Sequence, residues 1–169
     1  MLSKNLKYII WFIVFVSLQI LLFNRMHSIP FVNIFVYVLF LILLPFEISA
    51  VWYMLLAFCT GLIIDAFSNT LGIHAAASVL LAYMRPAVLR LYSPRDGYEK
   101  NTLPDIRHYG FLWFLKYSLL LIFCHHLALF ILDAFSFYNF HLTLLRTILS
   151  SIASISVILL IQFLTLRPK

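Results

Sequence analysis

Phe111-Leu-Trp-Phe-Leu-Lys-Tyr-Ser-Leu-Leu-Leu-Ile-Phe-Cys-His-His-Leu-Ala-Leu-Phe-Ile-Leu132 is one apolar run that carries a single charge, Lys116, near its start. A helix needs about 20 apolar residues to cross the ~30 Å hydrocarbon core of a bilayer, so this run has the length and composition of a membrane span. Comparable runs cover residues 8–23, 29–44, 50–67, 71–91 and 144–166. The expected architecture is therefore all-α: a polytopic integral membrane bundle of about six transmembrane helices, forming one domain over 1–169. The run over 29–44 is the shortest, stops at Pro45 and is followed by Glu47. A half-inserted or strongly tilted segment is the other reading of it.

Composition agrees with the pattern. The chain is 64% apolar and 11% charged, with a mean hydropathy of +1.02, far from the usage of water-soluble domains. Six spans would take about 120 residues, which leaves only short loops and no separate soluble domain. Cys59 and Cys124 lie inside apolar runs without metal-ligand spacing, and read as small buried hydrophobes. The first run follows Lys4 and Lys7 as a signal peptide would, yet no small-x-small cleavage site follows it, so an uncleaved first span is expected.

Basic residues give the orientation. With the amino terminus inside, Lys4, Lys7, Arg85, Arg90, Arg95, Lys100, Arg107, Lys116, Arg167 and Lys169 fall on the cytoplasmic side and only Arg25 and Arg146 outside. That asymmetry places both termini in the cytoplasm. It also accounts for the net charge of +6 without a nucleic-acid partner. The sizeable polar segment is 85–110, whose cytoplasmic loop 92–110 contains the turn residues Ser93-Pro94-Arg95-Asp96-Gly97 and is expected to be ordered.

Polar residues inside apolar runs are the candidate site residues. Ala57, Gly61 and Asp65 are spaced by four and share one helix face, on which a neighbouring backbone can approach closely. Asp65 precedes Ser68-Asn69-Thr70 and reads either as a hydrated interfacial carboxylate capping a tight turn or as a transport or proton-relay group. Gly72 and His74 open the next span, and His74, Ser78 and Ala82 mark a second weakly polar face. His74 reads as hydrogen-bonded to a neighbour rather than as a metal ligand.

In the fifth run His125 and His126 are adjacent, and His126 and Asp133 lie one heptad apart. Adjacent helical residues point about 100° apart, so hydrogen bonding between helices explains the pair better than a metal site. Thr147, Ser150, Ser151 and Ser154 form a small hydroxyl stripe suited to tight packing. Arg146 is the natural counter-ion for Asp133 or Asp65. No nucleophile elbow, phosphate-cradling loop or zinc spacing is present, so no catalytic residue, cofactor or metal is expected.

The stretch Gly61-Leu-Ile-Ile-Asp65-Ala-Phe-Ser68-Asn-Thr-Leu71-Gly72-Ile-His74-Ala75 resembles the central signature of the bacterial rod shape-determining MreD family. Arg85-Pro86, Pro94-Arg95-Asp96-Gly97-Tyr98-Glu99, and His125-His126 with Asp133-Ala134-Phe135-Ser136-Phe137 are similar to its Bacteroidetes-type branch. The resemblance covers essentially the whole chain. It implies a non-enzymatic component of the elongation machinery (elongasome) that binds MreC, works with MreB, RodA and a class B transpeptidase, and directs peptidoglycan synthesis for cell shape. It further implies a fold similar to the substrate-binding subunits of energy-coupling-factor transporters. A vitamin-binding transporter subunit is therefore the alternative function, distinguished by a polar-lined pocket where an assembly protein needs a groove for a partner helix.

Overall fold

A computed structural model describes residues 4–25, 31–100 and 102–165, with the side chains of Lys4 and Asn5 outside that description. The described part is helical: α1 (Lys4–Leu21), α2 (Val38–Ile42), α3 (Ala50–Ser68), α4 (Ile73–Leu91), α5 (Ile106–Tyr109), α6 (Phe111–Ala134) and α7 (Phe140–Thr165). A single 3-10 turn, Phe23–Arg25, extends α1. Four helical segments, Leu6–Arg25, Ala50–Ser68, Phe111–Ala134 and Phe140–Thr165, are long and apolar enough to cross a membrane. This is a membrane protein built of helices. Of the basic residues used for orientation, Arg167, Lys169 and the side chain of Lys4 lie outside the described residues.

The second apolar run departs from expectation. It is not a membrane helix: among its described residues only Val38–Ile42 are α-helical, and 32–36 carry no regular structure. Residues 29 and 30 lie outside the described part. The segment is nevertheless the most deeply buried in the molecule, with Val36 through Ile42 at 3% exposure or less. Hydropathy reports removal from water, which a segment achieves by being enclosed in protein as well as by spanning lipid as a helix.

Direct contacts set the order of the other elements. The Asn24 amide donates to Ser68 Oγ (2.9 Å), so α1 and α3 end together. α4 returns antiparallel to α3. At their closest approach a Cβ on Gly61 would stand 2.4 Å from Ala75 Cα, so only glycine admits this crossing. α6 runs against α4, with Tyr117 at Arg85 and His125 at the level of His74 through Tyr37. α7 packs back on α6, from Asp133–Arg146 at one end to the Phe111–Phe163 ring contact at the other.

Local signals explain the ends. Ser49 Oγ accepts from Trp52 N at the start of α3, and Asn69 ends α3 in the left-handed conformation (φ 55°) that asparagine tolerates. In the described part of the loop beyond α4, Gly97 N donates to Pro94 O (3.1 Å), and Tyr98 stacks on Phe46 at 4.5 Å. Cys59 is exposed on the outer face of α3 rather than buried, and Cys124 is half-buried. An apolar side chain on a lipid-facing helix surface satisfies hydropathy without touching protein.

Candidate functional site

The irregular segment 31–44 brings a row of backbone polar groups into the middle of the bundle, where each unpaired one would cost several kcal/mol. Side chains of neighbouring helices meet them. Gln19, 1% exposed, accepts from Val36 N (2.7 Å) and donates to Ile34 O (3.1 Å). Ser150 and Ser154 Oγ accept from Asn33 N and Phe35 N, both at 3.0 Å. The hydroxyl stripe on α7 is buried as expected, and two of its four members serve the backbone of another segment.

The opposite end of the segment is capped by an arginine. Arg85, 2% exposed, donates from Nη2 to Leu44 O and from Nη1 to Pro45 O (3.3 Å). Its Nε donates to Tyr117 Oη (2.8 Å), which in turn donates to Ile42 O (3.1 Å). Tyr53 Oη donates to Leu41 O (3.0 Å), and its ring lies 4.8 Å from the guanidinium carbon. The carbonyls that end α2 are therefore satisfied by three side chains, and the buried cation rests among carbonyl oxygens and aromatic faces. The sequence reading used Arg85 as a topological charge and as part of the Arg85-Pro86 resemblance, and did not place it as a buried cap.

Between these layers lies a connected set of imidazoles. Tyr37 Oη meets His74 Nδ1 at 3.2 Å and His125 Nε2 at 2.8 Å. His125 Nδ1 lies 3.3 Å from His126 Nδ1, and His126 Nε2 is 3.0 Å from Ser154 Oγ. The Phe35 ring packs edge-on against all three histidines. Among the described residues no group of three or more His, Cys, Asp or Glu could hold a metal ion.

Asp65 is a cap, and a buried one. At 3% exposure, its carboxylate accepts from Thr70 Oγ1, from His74 N (3.0 Å) and from Ala75 N (2.9 Å). The helix start supplies what water would supply at a hydrated interface, so the expected hydrated carboxylate is corrected to a buried one. Gly72, with φ 81°, makes the turn between α3 and α4. Arg146 pairs with Asp133 (2.7 Å) and not with Asp65. His126 and Asp133 do not meet, since His126 turns to Ser154.

At the Asp133 end these elements line an open cavity of about 380 Å³, bordered by Gln19, Asn24, Asn33, Thr70, His74, Asp133 and Arg146, together with Phe23, Phe35 and Phe67. A second concavity, about 550 Å³, lies on the outer face of α3 and α4 and is lined by Met54, Phe58, Gly72, Ala75, Ala76, Val79, Leu80 and Tyr83. In the loop end of the molecule, burial pushes the Tyr98 phenol up to about 12, and its hydroxyl donates to Leu89 O (2.7 Å).

Sequence reasoning missed Gln19, Tyr37, Asn33 and Tyr117. Gln19 was legible as a strong polar group inside the first apolar run. Tyr37, Asn33 and Tyr117 were not, because their roles depend on which backbone they face. No protein-family model, curated protein or solved structure matches the chain.

Proposed function

We propose that the chain is a non-enzymatic component of the bacterial wall-elongation machinery, of the MreD kind, that holds a partner's membrane helix in the inner membrane. In this reading it crosses the bilayer six times, five times as a helix and once as the enclosed segment 31–44, with both termini cytoplasmic. MreC is the expected partner for the helix; MreB, RodA and a class B transpeptidase belong to the same complex. The sequence resemblance suggests the family. The observation that carries the role is the α3–α4 groove, where Gly72 and Ala76 leave room for a foreign backbone between Phe58 and Tyr83. Phe58 and Tyr83 are themselves exposed.

The test is solubilisation from the native membrane followed by mass spectrometry of copurifying proteins, comparing the unaltered chain with Ala76→Trp. Ala76 is exposed, so the substitution fills the groove and leaves the bundle intact. The expected outcome is recovery of MreC and wall synthases with the unaltered chain and loss of MreC with the variant. Equal recovery from both would remove the groove from the proposal.

A second reading, a small-molecule-binding subunit of a membrane transporter, is favoured by the polar lining of the 380 Å³ cavity. Copurification of a transporter ATPase with a bound vitamin would replace the assembly role.

A further inference from the structure

The cavity at the Asp133 end holds binding chemistry that the fold does not use. His74 is 95% buried in the sense that only 5% of it is exposed, and it lines the cavity. Its Nδ1 is engaged by Tyr37, while Nε2 has no hydrogen-bond partner among the described residues and is not a fully enclosed orphan. That nitrogen is left to a molecule in the cavity. Asn33 is comparable: with its amide oriented to suit its neighbours, the oxygen accepts from Arg146 Nε and Nη2 (3.1 and 3.3 Å), so the amide nitrogen remains a donor beside the cavity.

The charges in the lining cancel. Asp133 and Arg146 are paired with each other at 2.7 Å, so neither an anion nor a cation gains an unopposed counter-charge. The remaining polar lining is carboxamide, hydroxyl and imidazole, which donate and accept in comparable measure. Hydroxyl groups match such a surface, because each both donates and accepts; phosphate and ammonium do not. Phe23, Phe35 and Phe67 add ring surface against which aliphatic C–H faces can pack. The volume, about 380 Å³, is at the small end of the roughly 300–1,000 Å³ range of small-molecule sites.

We propose that this cavity binds a neutral polyhydroxylated molecule with a ring the size of a single sugar, recognised by His74 and Asn33 and packed against Phe67. The same chemistry is offered by a free saccharide and by the sugar headgroup of a lipid. The proposal rests on the cavity alone and holds under either functional reading, and its test needs no partner protein.

The full chain in lipid nanodiscs would be titrated by calorimetry and thermal shift with glucose and N-acetylglucosamine, and with cationic glucosamine and anionic glucuronate as controls. A parallel set of nanodiscs would contain glucosyl diacylglycerol. Neutral sugars are expected to bind at least about tenfold more tightly than the charged analogues. Phe67 is 62% exposed, so Phe67→Ala should weaken binding several-fold while leaving the melting temperature of the free protein unchanged. Asn33→Ser is the second variant, expected to weaken binding further.

Stabilisation by the glucosyl lipid without binding of free sugar would support the site and identify a lipid headgroup as the source. Silence from both at about 20 mM sugar, where even a millimolar site would be filled, would overturn the proposal. So would charged analogues that bind as well as neutral ones, or affinity that neither variant changes.

Discussion

The second and fifth apolar runs look alike in sequence and fold differently. The fifth, residues 111–132, becomes α6, whose carbonyls and amides pair within the helix, and polar side chains on it are accessories. Ser118 Oγ, for example, donates to Phe114 O of its own helix (2.6 Å). The second becomes a buried irregular segment with one short helix, and its backbone depends on Gln19, Arg85, Tyr53, Tyr117, Ser150 and Ser154. Irregular backbone at membrane depth survives only where protein supplies the partners. The same apolar composition therefore yields a self-sufficient element in one place and a dependent one in the other.

The comparison is broken most directly at Arg85. Arg85→Met keeps an unbranched apolar stem and removes every donor, orphaning the carbonyls of Leu44 and Pro45 and leaving the Tyr117 hydroxyl without its donor. A loss of about 3 kcal/mol or more is expected, seen as a large drop in the thermal midpoint of the detergent-solubilised protein. Unchanged melting would mean that the segment does not need its arginine.

Gln19→Leu comes next, at about 2–3 kcal/mol, because the amides of Val36 and Tyr37 lose their acceptor. Hydrogen exchange gives a local readout: the amides of 36 and 37 should exchange faster while those of α6 keep their protection. Parallel loss of protection in both would show that the two regions unfold as one unit.

Ser154→Ala should cost about 1–2 kcal/mol, since Phe35 N and His126 share that hydroxyl. Its counterpart Ser118→Ala, equally buried, should cost less than about 1 kcal/mol, because Phe114 O also belongs to a helix ladder. Thermal melts of this pair under one condition isolate the difference between a serine that serves its own helix and one that serves a foreign backbone. Equal costs would dissolve the distinction. The smallest effect belongs to Asp133→Ala, which removes the half-exposed partner of Arg146 and should cost about 0–1 kcal/mol in the same melts.

Much of the site was legible from residues, though not its wiring. The spacing of Gly61 and Asp65 indicated a close helix contact, and the structure has one, against Ala75. Asp65 was readable as a turn cap, but not that two amides of α4 and a threonine would replace water around it. The adjacency of His125 and His126 announced polar contact between helices. It did not name Tyr37, which belongs to a segment whose irregular backbone no periodicity reveals. The α7 stripe was readable as packing and turned out to include two backbone acceptors as well.

Composition and apolar run length determined by themselves that the protein is helical and belongs to a membrane, since both follow from transfer out of water summed over many residues. Which run would remain irregular, which buried charge would cap it, and where a polar cavity would open were decided only by the tertiary structure. Those outcomes depend on hydrogen bonds between groups as far apart in the chain as Phe35 and Ser154. A bond of that kind is directional and short, and hydropathy, which counts area, carries no record of it.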